Sequence, residues 1–300
     1  MTGKAIIKAL QPYNVEIRAM VHRDSQREEI ISAGATEVVV GDVLNPDDVK
    51  RAVAGVDKIY HICNVANPQE DVIGCLVIDE AQRQHVTHFV YHSVLHSLLS
   101  DMPHHKRKQA VEKYLVDSGM AYTILQPAAL MQNLRTGFDA MKHKGIFPQK
   151  FFVSNQTRMN LVSLDDVAEI AAKVLTETGH EYATYEICGP HNLSLADMLS
   201  QVESVLHRTI TPQFIQDELF ASRLREAKPT TSREQSNPFE LPRRGGGRRS
   251  QPEEVIQTLL TMFRHYNESG FMGNAQSATA LLGRTPVSLT QYLTNELSKE

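Results

Sequence analysis

The 300-residue sequence predicts an α/β fold: a doubly wound parallel sheet lacking its first strand and most of a glycine-rich loop, with a smaller, mainly helical C-terminal lobe. Three observations predict it. Short β-branched runs alternate with amphipathic stretches of about 10 to 15 residues. Helix starts carry capping signals. The chain opens on MTGKAIIKALQ, which already reads as a helix with no strand ahead of it.

In that opening stretch Ile6, Ile7 and Leu10 fall on one helical face and are expected to meet the sheet. From Val15 to Val21, VEIRAMV alternates apolar and polar residues at the period of a strand, and Ser25 to Glu28 has the spacing of a capping box. TEVVVGD, Thr36 to Asp42, is the next strand; Asn45-Pro46 then gives an N-cap with proline at the first helical position, and the helix stops near Gly55. KIYHICN, a helix around Asp71 to Val86, HFVYHSVLH, a helix around Lys106 to Ser118 closed by Gly119, and AYTILQPA continue the alternation. Strands separated by helices need right-handed crossovers, which make the sheet parallel and cover both its faces.

After Pro127 the regularity loosens. Ser163 to Asp166 and Ser194 to Asp197 read as helix caps, and YEICGP, Tyr185 to Pro190, as a late strand joining the main sheet. Residues 227–251, rich in proline, glycine and charge, have little to bury and are expected to form a flexible loop. Helical patterns resume from Pro252 to Ser269 and at the carboxyl end. The expected division is a dinucleotide-binding domain over residues 1–135 and a substrate-side lobe over 136–300.

Composition narrows the function classes. With 31 basic and 35 acidic residues the net charge is −4, the wrong balance for a general nucleic-acid or membrane binder. No apolar run is long enough to cross a bilayer and no basic-then-apolar leader is present, so a cytoplasmic location is expected. Cys63, Cys75 and Cys188 are odd in number and far apart, which suits a reducing compartment.

In open parallel sheets, ligands bind at the carboxyl ends of the strands, where the first strand runs into a glycine-rich turn and a helix N-terminus. Glycines there admit a pyrophosphate to the backbone amides, and the helix dipole favours its charge. Here Thr2-Gly3-Lys4 is the tail of such a turn without its head, so a truncated gene model or isoform is expected. In the strand order 3-2-1-4-5-6 the first strand is central. Its loss sets the second and fourth strands about 10 Å apart, too far for hydrogen bonds. Either those strands close up or two unpaired edges remain.

Thr2-Gly3-Lys4, Val21-His22-Arg23, Gly41-Asp42, FVYHSVLH, MPHHKRKQAVEKYLVDSGMAYTILQPAALMQN and LVSLDDVAEIAAKVL together resemble the NmrA-like group of atypical short-chain dehydrogenases, from Thr2 to about Arg208. The resemblance implies a Rossmann fold binding NADP, with NAD as the alternative. It implies either a hydride-transferring oxidoreductase acting on a small quinone, carbonyl or conjugated substrate, or a cofactor-sensing regulator with no turnover that binds a protein partner. An inactive truncated remnant is a third reading.

On that resemblance Thr2 and Gly3 meet the cofactor's phosphates, Arg23 its 2′-phosphate, and Asp42 and Val43 its adenine. Pro127 and Asn133 flank the nicotinamide and substrate entrance, and Ser93 matches the serine of the catalytic set. His104 and Lys108 have the Tyr-x-x-x-Lys spacing that puts two side chains on one helical face, but with histidine in place of tyrosine. Lys108 is expected to hold the cofactor ribose, and His104 to donate a proton as an imidazolium. Each has an ordinary reading beside it: Arg23 and Lys108 as solvated charges, Asp42 as a turn residue, Asn133 as a helix-surface amide. His92 and His96, four apart on an expected strand, sit too far apart for a tight metal site, and no metal is expected. RRGGGRR, Arg243 to Arg249, is read as solvated rather than nucleic-acid-binding.

Overall fold

A computed structural model describes residues 1–149, 156–226 and 253–297. Its first helix, α1 (Thr2–Leu10), buries Ile6, Ile7 and Leu10, as their spacing requires. It packs on α6 (Leu164–Thr176), whose start is capped by Ser163 Oγ accepting from Asp165 N–H.

Two parallel sheet blocks follow. In the first, β1 (Arg18–Val21) pairs with β2 (Glu37–Val40). In the second, the order is β3 (Lys58–His61), β4 (His88–His92), β5 (Tyr122–Pro127), β9 (Ala183–Ile187). The connecting helices are α2 (Arg27–Ser32), α3 (Pro46–Val53), α4 (Glu70–Arg83) and α5 (Pro103–Asp117). Among the described residues no ladder joins β1 to β3, so the two blocks are separate sheets, β3 is an edge of the second, and the direct closing-up of these strands is not seen. Burial agrees: all five residues of β4 are buried, whereas Lys58, Ile59 and Tyr60 of β3 are not.

Local physics sets several boundaries. The ladder of β1 starts at Arg18 rather than Val15, because the Thr36 hydroxyl accepts from Ile17 N–H at 2.9 Å and donates to Ile17 C=O at 3.0 Å. The capping box expected at Ser25 is absent: a short 3-10 turn spans Asp24–Gln26 and α2 starts at Arg27. Arg27 overrides Ser25 by donating both to Asp24 Oδ1 at 2.8 Å and to Val38 C=O at 3.0 Å. By contrast Asn45 Oδ1 does cap α3, accepting from Asp47 N–H at 3.0 Å. Helix α5 starts at Pro103, three residues before the expected Lys106, since proline suits the first helical turn.

Beyond β5 lie β6 (Ala129–Leu130), β7 (Ile146–Gln149), β8 (Met159–Val162) and β10 (Asn192–Leu193); β8 pairs with both β6 and β10. Helix α7 (Leu195–Leu206) carries the expected capping box at Ser194 and Asp197. Strand β11 (Thr211–Phe214) pairs with β7, and α8 (Asp217–Glu226), α9 (Glu253–Ser269), α10 (Gln276–Leu282) and α11 (Leu289–Leu297) complete the described chain. Two apolar cores result. One joins α1, α6, α9 and the C-terminal helices; the other lies between the α3, α4, α5 face and the sheet. The flexible loop expected at 227–251, with its RRGGGRR run, lies outside the described residues. No helix among the described residues is long and apolar enough to cross a membrane.

The open edges predict a pattern of amide exchange. Amides of β4 and β5 are expected to exchange only on global unfolding, whereas those of β1 and β3 that point toward the gap exchange about 100-fold faster or more. Native-state hydrogen exchange checks this; equal protection across all four strands contradicts it.

Candidate functional site

The expected site residues follow the carboxyl ends of parallel strands in two separate sheets: Arg23 and Asp42 after β1 and β2, Ser93 after β4 and Pro127 at the end of β5, with His104 and Lys108 in the first turns of α5. Thr2 and Gly3 form the first turn of α1. A Cβ at Gly3 would project into open space, the room that a diphosphate needs for close approach to the backbone. Lys4 is turned aside to Glu29 at 2.7 Å. Arg23, two residues beyond β1, is exposed, and its guanidinium has no ion-pair partner among the described residues. These groups fit a phosphorylated dinucleotide.

Asp42 and Val43 follow β2. Asp42 Oδ1 accepts from Leu44 N–H at 3.0 Å and its own N–H donates to Asp48 Oδ2 at 2.8 Å, so much of this residue's bonding closes its own turn. A Cβ at Gly41 would lie 2.8 Å from Asp48 Cβ, which explains a glycine there. Val43 is half-buried against the second core.

Lys108 and His104 lie side by side on α5, and both are buried. Lys108 Nζ donates to Glu70 Oε1 at 2.6 Å and to His92 C=O at 2.9 Å, and sits 5.1 Å from the Tyr91 ring centroid. Tyr91 Oη also donates to Glu70 Oε1, at 3.1 Å. The second carboxylate oxygen, Oε2, is sealed from solvent without a hydrogen bond, 3.6 Å from His104 Nδ1. Ala66 N–H approaches the same Nδ1 at 3.4 Å. Burial first, and the charge of Lys108 next, push His104 well below the usual imidazole range. The imidazolium donor expected from the sequence is therefore not the form present at neutral pH.

The neighbouring histidines behave alike. His61, at the end of β3, stacks on Tyr91 with ring centroids 5.9 Å apart, and its buried Nε2 has no partner. Burial, with a smaller effect of Lys108, lowers it to about 4. His92 Nδ1 and Tyr60 Oη share a hydrogen bond of 2.6 Å, and burial lowers that imidazole to about 3. His96 is not on β4 at all: the strand ends at His92 and His96 turns through a positive φ of 55°, its Nε2 lying 2.6 Å from Met272 C=O. The three cysteines are unpaired, and burial pushes Cys63 and Cys188 up to about 12.

Ser93 is buried just after β4 and donates its hydroxyl to Glu112 Oε1. The same carboxylate accepts from Ser97 Oγ at 2.7 Å and Gln126 Nε2 at 2.8 Å, so Glu112 clamps the turn after β4 to β5. Pro127 ends β5, and its C=O accepts from Leu95 N–H at 3.0 Å. Asn133 is half-buried in a 3-10 turn, Met131–Gly137, away from the Lys108 cluster's hydrogen bonds; its neighbour Gln132 is the buried one, accepting from Leu164 N–H at 3.0 Å. Sequence reasoning missed Glu70, Glu112 and Gln126. Glu70 carries one faint signal: it opens a helix with Asp71 just where the expected helix begins, and so reads as an ordinary first-turn acid.

A family model described as NAD(P)H-binding matches residues 1–178. The curated NAD(P)H azoreductase of Xenophilus azovorans is 27% identical over 210 residues, 69% of this chain and 71% of that protein. The NADPH complex of a quinone oxidoreductase from Escherichia coli superposes with a TM-score of 0.78 at 20% identity, over 99% of this chain and 97% of that one. A double mutant of NmrA gives a TM-score of 0.69 at 14% identity, over 98% of this chain and 91% of that one. At these identities the two structures show the likeness of fold.

The depressed histidines make stability pH-dependent in a definite direction. Below an unfolded-state pKa of about 6.5 the unfolded chain takes up protons that His61 and His92 refuse until about 4 and about 3. Stability is therefore expected to fall as pH drops, by about 2 kcal/mol per such histidine between about pH 7 and pH 5. Urea unfolding at the two pH values measures it, and an unchanged midpoint refutes it.

Proposed function

Because its residues 1–178 match the model, the chain belongs to the NAD(P)H-binding family, and from that premise we propose that it is an NADPH-dependent reductase passing hydride to a small quinone, carbonyl or conjugated substrate. The observation that carries this reading is the buried Lys108 cluster at the carboxyl end of β4, supported by the exposed Arg23 guanidinium two residues past β1 and by the open first turn of α1. Azoreductase and quinone oxidoreductase activities are named for its relatives, which supports a conjugated acceptor.

When bound, the nicotinamide supplies the hydride. The chain's own residues hold it. Thr2 and Gly3 offer backbone N–H groups to phosphate, Arg23 pairs with the 2′-phosphate, and Asp42 and Val43 border the adenine. Lys108 uses two of its three N–H bonds on Glu70 and His92, leaving one for a ribose hydroxyl. Ser93, aimed by Glu112, keeps acceptor lone pairs toward the substrate side, while Pro127 and Asn133 flank the entrance. The unpaired cysteines suit a reducing cytoplasm.

A second reading, cofactor sensing without turnover and with a protein partner, draws on specific features. His104 stands where a tyrosine would donate a proton and is neutral, and the Ser93 hydroxyl hydrogen is committed to Glu112. Turnover separates the two: NADPH oxidation with any of a panel of quinones, azo dyes and carbonyls establishes the reductase, whereas calorimetric NADPH binding with no oxidation rejects it. Within the first reading, Arg23→Ala is expected to weaken NADPH about tenfold or more, roughly 1.4 kcal/mol, and leave NADH almost unchanged. Equal losses for both cofactors would remove Arg23 from the 2′-phosphate.

A further inference from the structure

We infer that Glu70 is the positioning residue of this site: as the one carboxylate in contact with Lys108 among the described residues, it holds that side chain charged and fixed against the end of β4, ready for the cofactor. The inference rests on the cofactor-holding role proposed for Lys108 and adds the residue that makes the role workable. Glu70 opens α4, where the helix dipole favours its negative charge. Its Oε1 gathers Lys108 from α5 and Tyr91 from β4, and its Oε2 faces His104. One carboxylate thus ties two helices to one strand at the edge where the cofactor is placed.

The surroundings leave Lys108 no substitute counter-ion. From β3 and the loop after it come His61 and Cys63; from β4, Tyr91 and His92; from α5, His104, His105 and Glu112. At neutral pH the four histidines, the thiol and the phenol are all uncharged, because burial shifts each away from its charged form. Glu112 is spent on Ser93, Ser97 and Gln126. Without Glu70, Lys108 is a buried cation left with the His92 carbonyl and the face of Tyr91 but no counter-ion, and it sheds its proton as the pH rises.

The test compares the parent with Glu70→Gln, which keeps shape and removes charge, reading NADPH affinity from about pH 6 to pH 9. The parent's affinity is expected to change little, while that of the variant starts near the parent's at low pH and falls about tenfold or more as pH rises. A variant that tracks the parent, or one weakened equally at every pH, overturns the inference, the latter because a merely structural loss has no reason to follow protonation. If the parent itself does not bind NADPH, the proposed function fails, and nitrogen NMR of the Lys108 ammonium decides the inference alone: a lower titration midpoint in Glu70→Gln supports it, an unchanged one overturns it. Should Glu70→Gln fail to fold, the double variant Glu70→Gln, Lys108→Met decides: recovery of a folded chain supports the counter-ion role, and continued unfolding overturns it.

Discussion

Parallel hydrogen bonding across β3, β4, β5 and β9 dictates where the chemistry of this protein can be. In a parallel ladder every strand ends at the same edge, so the residues just after β3, β4 and β5 are brought together however distant they are in sequence. His61, Ser93 and Pro127 arrive there by register alone. The helices that return the chain begin at the same edge, which adds Glu70 from α4 and His104 and Lys108 from α5. A shift of one residue in β4 would exchange Tyr91 for His92 across the sheet, separating Lys108 from the His92 carbonyl and Tyr91 from Glu70. The fully buried β4 makes such a shift costly, since both its faces are committed to apolar cores.

The polar cluster at that edge is held together by mutual need rather than by intrinsic strength. A buried ion pair contributes little net stability over a well-packed apolar pair, yet removing one partner costs about 3 to 5 kcal/mol because the other charge is stranded. Glu70 and Lys108 are in that position, and the sealed Oε2 and the unpartnered His61 Nε2 add to the cost. A fold optimised only for stability would place leucine or methionine here. Retention of so many imperfectly satisfied groups at the carboxyl ends of parallel strands is what a binding edge requires, and it agrees with the proposed use of Lys108.

Legibility in the sequence follows the range of the interactions. The strand and helix alternation, the caps at Asn45, Ser163 and Ser194, and the apolar face of α1 depend on neighbours a few residues away, and each was readable. Ser25 misled because Arg27 reaches Val38, eleven residues on, and that contact outweighs a local box. His104 misled for a related reason. Its spacing from Lys108 was visible, but its charge depends on burial, which is a tertiary property. Glu70 and Glu112 were invisible as site residues because their partners lie 38 and 14 to 19 positions away.

The same reasoning bears on how a dinucleotide would be shared out along this edge. In a complete sheet of this class the diphosphate rests on backbone N–H groups between the central strand and the first helix, uncharged donors whose effect is short-ranged and direct. Among the described residues no ladder joins β1 to β3, and Thr2 and Gly3 stand in the first turn of α1. On the proposed reading side-chain charge adds to that attraction through Arg23, exposed to solvent, and Lys108, buried and balanced by Glu70. These two cations are not equivalent. Solvent and salt screen Arg23, so its influence is tunable and favours discrimination between phosphorylated and unphosphorylated ribose. Lys108 is shielded from both, so its influence depends on geometry, and that geometry is set by a single carboxylate on a neighbouring helix.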